Sequence, residues 1–311
     1  MRRAGSRAVA PRGSLRQRSR GFTLVEMIVS ITLIGILAVV AAPLLRLPLV
    51  AWMDASRRAD IGATADVVQN KLAADLSRAL PNSVRVRQVG GRVWLEFLQV
   101  RAHGRHRAGT APGPQACPSV CSAPGGNDML EAACAESCFT SLGPLVLDSP
   151  VLAGDWLVVN PLGPGVAGGD PYFGGNVAAA GGIKVRLIDS AAAPGGVRLR
   201  HAAFNFSALS STRRFFVVST PVSYECNPAT GVLQRHSGYA VAAVQPVVFA
   251  GAQAVPLARN ITACSLRYSA AGAAGRGGVV SVWLRLAAAA ADTGAAEGIE
   301  IFNQFAVSEA P

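Results

Sequence analysis

Arg20-Gly21-Phe22-Thr23-Leu24-Val25-Glu26 opens the segment that decides the architecture of this chain, and the uncharged run from Met27 to Leu45 completes it. At 1.5 Å per helical residue the run covers roughly 29 Å, the hydrocarbon thickness of a bilayer. Ser30 and Thr32 are tolerable inside it because helical hydroxyls bond back to the backbone. Glu26 is the anomaly. A carboxylate at the head of a membrane helix costs on the order of 2.5–3.5 kcal/mol and calls for a partner. A cut between Gly21 and Phe22 creates one, an amine four residues before Glu26. On one helix, or between neighbouring helices, the two charges neutralise each other in apolar surroundings.

Gly21, Phe22, Thr23, Leu24, Glu26 and, further along, Pro43 resemble the class III signal of type IV prepilins and type II secretion pseudopilins. The resemblance implies cleavage after Gly21 by a membrane aspartyl prepilin peptidase, which also N-methylates Phe22. It implies that Glu26 sets the register as the subunit docks among other major and minor pilins at an inner-membrane assembly platform. It also implies that Pro43 marks a helix kink, a region able to open during assembly. An ordinary secretory signal and a plain anchor are the simpler readings, and Val39-Val40-Ala41 offers a small-residue cut site. Glu26 does not suit an ordinary apolar signal core.

The chain has 311 residues and a formal charge of +11. Seven arginines and no acid lie in residues 1–21, so removing that leader leaves about +4. The basicity belongs mostly to the leader, and nucleic-acid binding is not the default expectation. Positive residues stay on the cytoplasmic side, which sends the C-terminal body outward. The expected course is inner membrane first, single-pass with a periplasmic C-terminal domain, then the pilus or cell surface.

Four segments follow from this reading. Residues 1–21 are a cleaved leader, 22–45 the transmembrane half of the N-terminal helix, and 46–81 its amphipathic half. Residues 82–311 form a β-rich globular domain. Ile61, Ala65, Val68, Leu72, Leu76 and Ala79 recur at helical spacing and predict one apolar stripe for a sheet to cover. Asp54/Arg58 and Asp75/Arg78 are pairable on the polar side, Trp52 suits the membrane exit, and Pro81-Asn82 ends the helix. Gly90-Gly91 predicts a hairpin between Ser83–Val89 and Arg92–Leu98. Residues 101–116, with His103 and His106, read as a loop. Further strands are expected at Asp155–Asn160, Ile183–Asp189, Val197–Phe206, Arg214–Thr220, Val222–Cys226, Val232–His236, Ile261–Tyr268, Val279–Leu286 and Gly298–Val307. The fold class is α+β, pilin-like: a long N-terminal α-helix packed on a mostly antiparallel β-sheet.

Six cysteines are present. Cys117, Cys121, Cys134 and Cys138 have paired spacing, which suits disulfides outside the cytoplasm or, alternatively, four-thiolate zinc. If both segments are short helices, nested bonds Cys117–Cys138 and Cys121–Cys134 close a hairpin; sequence alone allows three pairings. Cys226 and Cys264 each alternate onto an apolar strand face, so they form a disulfide or remain two buried thiols.

Arg214-Phe215-Phe216-Val217-Val218 and Pro221-Val222-Ser223-Tyr224-Glu225-Cys226, with Asn260-Ile261-Thr262-Ala263-Cys264 beyond, are similar to the MSHA-type pilus biogenesis proteins. That similarity implies a minor pilin supporting adhesion or motility. A J-type pseudopilin of a type II secretion system is the rival. A membrane-tethered enzyme is a third class, but no Gly-x-Ser-x-Gly elbow or zinc-protease motif is present, and His201 and His236 sit in strand-like surroundings. No catalytic residue, cofactor or metal is expected. Arg101–Arg107 and Arg213-Arg214 are the basic clusters on which a DNA-binding reading would rest.

Overall fold

The computed structural model describes residues 21–107, 129–130, 132, 135–173, 182–270, 277–289 and 296–308. The chain divides into two compact units, Met1–Ala55 and Ser56–Pro311.

In the first unit the described chain is helix α1 (Leu24–Leu76), which continues into the second. Its backbone stays helical across Pro43 and Pro48, although neither proline has an N–H for the carbonyl four residues back. Ser30 Oγ donates to the Glu26 carbonyl and Thr32 Oγ1 to the Val29 carbonyl, which keeps both hydroxyls satisfied within the helix.

Among the described residues the second unit contains the C-terminal part of α1 and thirteen strands: β1 (Arg85–Val89), β2 (Arg92–Arg105), β3 (Ala135–Thr140), β4 (Val146–Leu147), β5 (Trp156–Val159), β6 (Lys184–Ala193), β7 (Gly196–Asn205), β8 (Arg214–Asn227), β9 (Val232–Ser237), β10 (Gln253–Ala258), β11 (Ile261–Ala270), β12 (Gly277–Ala289) and β13 (Ala296–Ser308). The larger sheet runs β1-β2-β8-β5-β6-β7-β3, with β4 on β2, β9 on β8 and β10 on β9. The smaller sheet is β11-β12-β13. Every pairing between strands is antiparallel. The fold is α+β and pilin-like.

The predicted stripe on α1 is the centre of the main core. Ala65, Val68, Leu72 and Leu76 are buried, with Ala79 just beyond the helix. They share one cluster with Leu95, Phe97, Val222 and Tyr224 of the larger sheet and with Leu266, Val282, Leu284 and Ile301 of the smaller one. A second core lies between Phe139, Leu157, Phe204, Phe206 and Phe215.

Several expectations need correction. α1 stops at Leu76, before Pro81-Asn82: Arg78 and Ala79 make three-residue turn bonds, and Leu80 N–H then donates to the Leu98 carbonyl. Residues 101–105 are strand, so His103 lies in β2 and His106 is buried in a bridge to Ser141. A basic, glycine-containing sequence reads as loop, but here a long partner strand fixes it. Arg214–Thr220 and Val222–Cys226 are one strand, β8. It tolerates Pro221 because the register with β2 shifts at Leu98/Val100, and because on its other edge β5 ends at Val218 and β9 begins at Val222. A proline has no N–H to waste at such a place. Cys138 lies in β3, so the condition of two short helices, on which the nested pairing rests, is not met at Cys138. β3, β4 and β10 are absent from the sequence reading. At the expected hairpin, Gly90 and Gly91 both take positive φ, 58° and 77°. A two-residue turn with that backbone matches the twist of the flanking strands and favours glycine at both positions.

Candidate processing and assembly site

Gly21, Phe22 and Thr23 precede the first turn of α1. Thr23 is the N-cap: its Oγ1 accepts the Glu26 N–H at 3.3 Å, and its carbonyl accepts the Met27 N–H at 3.1 Å. Thr23-Leu24-Val25-Glu26 therefore has capping-box spacing, with Glu26 at the third helical position. There the carboxylate faces the positive end of the helix dipole. Phe22 lies outside the helix, so its relation to Glu26 runs across the cap rather than along a helical turn. The cap satisfies one of the amides that a helix start leaves open, and this matters most in lipid, where no water is present to do so.

Gly21 carries a different kind of information. A Cβ built on it meets nothing within 4 Å. The fold does not demand glycine there, so any demand comes from what acts on the chain.

From Leu24 to Leu45 the large apolar side chains are exposed on all sides of the helix among the described residues. A helix apolar around its whole circumference requires apolar surroundings. This segment fits a single-pass membrane anchor.

In the second unit, α1 is fastened to the larger sheet by charge. Asp75, expected on the polar side with Arg78, is 2% exposed. Its carboxylate accepts from Tyr224 Oη at 2.7 Å, Lys71 Nζ at 3.0 Å and Arg235 Nε at 2.5 Å. Burial alone raises this carboxyl, but the three donors outweigh it and hold it below its usual value. Arg78 instead lies 3.9 Å from Asp148. A second buried carboxylate, Glu96, accepts from Arg85 Nε at 2.7 Å and Tyr239 Oη at 3.1 Å. Here burial dominates and the carboxyl is raised. Arg85 also lies over the Tyr172 ring, 3.6 Å from its centroid.

Cys226 of β8 and Cys264 of β11 are joined by a disulfide. The bond ties the larger sheet to the smaller one around the α1 stripe. Cys138 is also disulfide-bonded; Cys117, Cys121 and Cys134 lie outside the described residues, and so does the choice among their pairings. Among the described residues no three His, Cys, Asp or Glu side chains converge on a metal position. His106 and His201 are buried with Nδ1 on the Arg107 and Ala202 carbonyls, and His236 Nε2 meets Glu225 at 3.0 Å. Within the basic clusters, Arg101 pairs with Asp155 at 3.1 Å and Arg107 donates to the Gly195 carbonyl.

Sequence reasoning found the residues at the head of α1 but missed the Thr23 cap and the Asp75 cluster. The signal for the second was present: Asp75 lies three residues from Leu72, on the edge of the apolar stripe.

Residues 16–42 match the family described as the prokaryotic N-terminal methylation motif. The match spans Gly21, Phe22 and Glu26 and ends one residue before Pro43. No curated protein and no solved structure matches the chain. The motif supports the class of type IV prepilins and pseudopilins, and implies processing by a prepilin peptidase and assembly with other pilins.

Proposed function

We propose that this protein is a minor pilin of an MSHA-like type IV pilus, similar to the biogenesis protein MshO, that takes part in assembly or initiation of the filament and supports adhesion or motility. The peptidase cuts after Gly21 and methylates Phe22. The mature chain waits in the inner membrane with its C-terminal unit in the periplasm, then joins other major and minor pilins through the assembly platform. Its work is assembly, with no catalytic step and no cofactor.

The observation that carries this reading is α1 itself: a Thr23-capped helix, apolar on all sides, with one carboxylate in its first turn. Glu26 is harmless in water and costly in lipid, so an amine from the cut Phe22, on the same or a neighbouring subunit, gives it a partner. Pairing with a neighbour fixes axial register at the point of entry.

The test is recovery in sheared surface filaments. Intact protein should be found there, and Glu26→Ala should be processed normally yet recovered at a small fraction of that level. Equal recovery of Glu26→Ala would contradict the register role. Recovery only with the components of a type II secretion system would favour the J-type pseudopilin instead.

A further inference from the structure

We propose that the outer face of the β11-β12-β13 sheet is a binding site for a carboxylated saccharide. The inner face of this sheet is committed to the core through Leu266, Val282, Leu284 and Ile301. On the outer face the strand register sets Ser265, Trp283 and Phe302 side by side in one row, and Arg267, Ser281 and Gln304 in the next. Ser265, Arg267, Ser281, Trp283 and Phe302 line a depression of about 400 Å³, the size of small-ligand sites.

Two features require explanation. Phe302 is 65% exposed beside a half-buried Trp283, so an aromatic row faces water with nothing from the described chain over it. Arg267 is exposed and has no ion pair or hydrogen bond among the described residues, whereas Arg285, two rows away on the same face, lies 3.9 Å from Glu300. Gln304 Nε2 reaches Ser281 Oγ at 3.4 Å, which leaves the amide oxygen and the serine hydroxyls able to bond outward.

The chemistry of these groups defines the ligand. Flat aromatic faces take the C–H face of a pyranose ring, the small hydroxyls and the amide meet its hydroxyls, and an unpaired guanidinium takes a carboxylate through two parallel N–H donors. An extended peptide would add at the outer edges of β11 or β13, whereas the depression lies on the face over β12, which is paired on both sides and offers only side chains. A simple anion has no use for Trp283 and Phe302. The inference concerns only this sheet and does not depend on processing at Gly21.

Calorimetric titration of the full chain in detergent tests it, using trisaccharides of galacturonic acid, glucuronic acid or N-acetylneuraminic acid, with neutral galactotriose and triglutamate as references. At least one acidic saccharide should bind about tenfold more tightly than galactotriose or triglutamate, as one charge-assisted contact allows. Arg267→Gln should remove that preference, and Phe302→Ser should weaken binding of acidic and neutral saccharides alike. Both residues are exposed, so the melting temperature should not move. Binding of none of the saccharides, an unchanged preference in Arg267→Gln, or triglutamate binding as tightly as the saccharides would each overturn the proposal, the last pointing to charge alone or to an acidic protein partner.

Discussion

Tyr224 Oη donates to Asp75 Oδ2 at 2.7 Å, across 149 residues of sequence. The bond joins the last turn of α1 to the centre of the larger sheet. Arg235, from β9, and Lys71, one turn earlier on the helix, converge on the same carboxylate. The stripe Val68-Leu72-Leu76 supplies the apolar area, which is non-directional; the Asp75 cluster adds direction, because a rotated or shifted helix would leave a buried charge without donors.

Asp75→Ala should therefore destabilise the protein far more than a helix-surface substitution. Removing one partner of a buried ion pair costs about 3–5 kcal/mol, here by stranding Arg235, which is 14% exposed in its side chain. Tyr224→Phe removes only the hydroxyl and should cost about 1–2 kcal/mol. Thermal or chemical melts of the detergent-solubilised chain measure both; equal, small effects would show that the cluster is not holding the helix.

Stability should fall as the pH is lowered from about 7.5 to 5.5. Burial lowers all four histidines, His103, His106, His201 and His236. A base with a lowered folded pKa contributes stability above its unfolded value, about 6.5, and loses it as the pH falls towards the folded value. The double variant His106→Gln, His201→Gln should show a flatter melting-temperature curve over this range, whatever its absolute stability. Further into acid Asp75 and Glu96 act in opposite directions. Asp75, lowered, loses its contribution as pH falls below about 4; Glu96, raised, contributes fully below about 4.3 and loses that as pH rises through its folded value.

Removing the Cys226–Cys264 bond by a double alanine substitution should cost about 3–4 kcal/mol, the loop-closure value for a separation of 38 residues. The double variant isolates this bond, whereas a reductant would also reach that of Cys138. A melting temperature equal to that of the unmodified protein would mean the two sheets are held by the α1 core alone.

Gly196→Ala should destabilise by about 1–3 kcal/mol, because the new Cβ would overlap the Ser141 carbonyl oxygen, a backbone atom fixed by its strand neighbours. A neutral effect in a melt would show that the β7 start can shift away from Ser141.

The sequence made the helix legible because its apolar stripe has period 3.6 and its first half carries no charge. Most strand positions were legible because β1 and β11 to β13 alternate, while β2 and β8 carry apolar runs buried on both faces, all bounded by turn residues. What was hidden depends on partners distant in sequence. Asp75 and Arg78 looked like a surface pair until β8 and β9 supplied Tyr224 and Arg235. Pro221 looked like a strand break, yet it falls where β5 has ended and β9 not yet begun. β10 contains Pro256, which is accepted because β10 is an edge strand and its register with β9 shifts between Pro256 and Ala258. At the site, Gly21, Phe22 and Glu26 were readable as a motif; the Thr23 cap required knowing where the helix starts.

Mass spectrometry of the mature N-terminus, on protein recovered from cells, reads out directly whether the chain is cut after Gly21. The chain should begin at a monomethylated Phe22, and Gly21→Val should give an unprocessed chain of unaltered melting temperature, since a side chain at Gly21 meets nothing in the fold. A chain that still begins at Met1, or that starts at Ala42 after a cut behind Val39-Val40-Ala41, would contradict it.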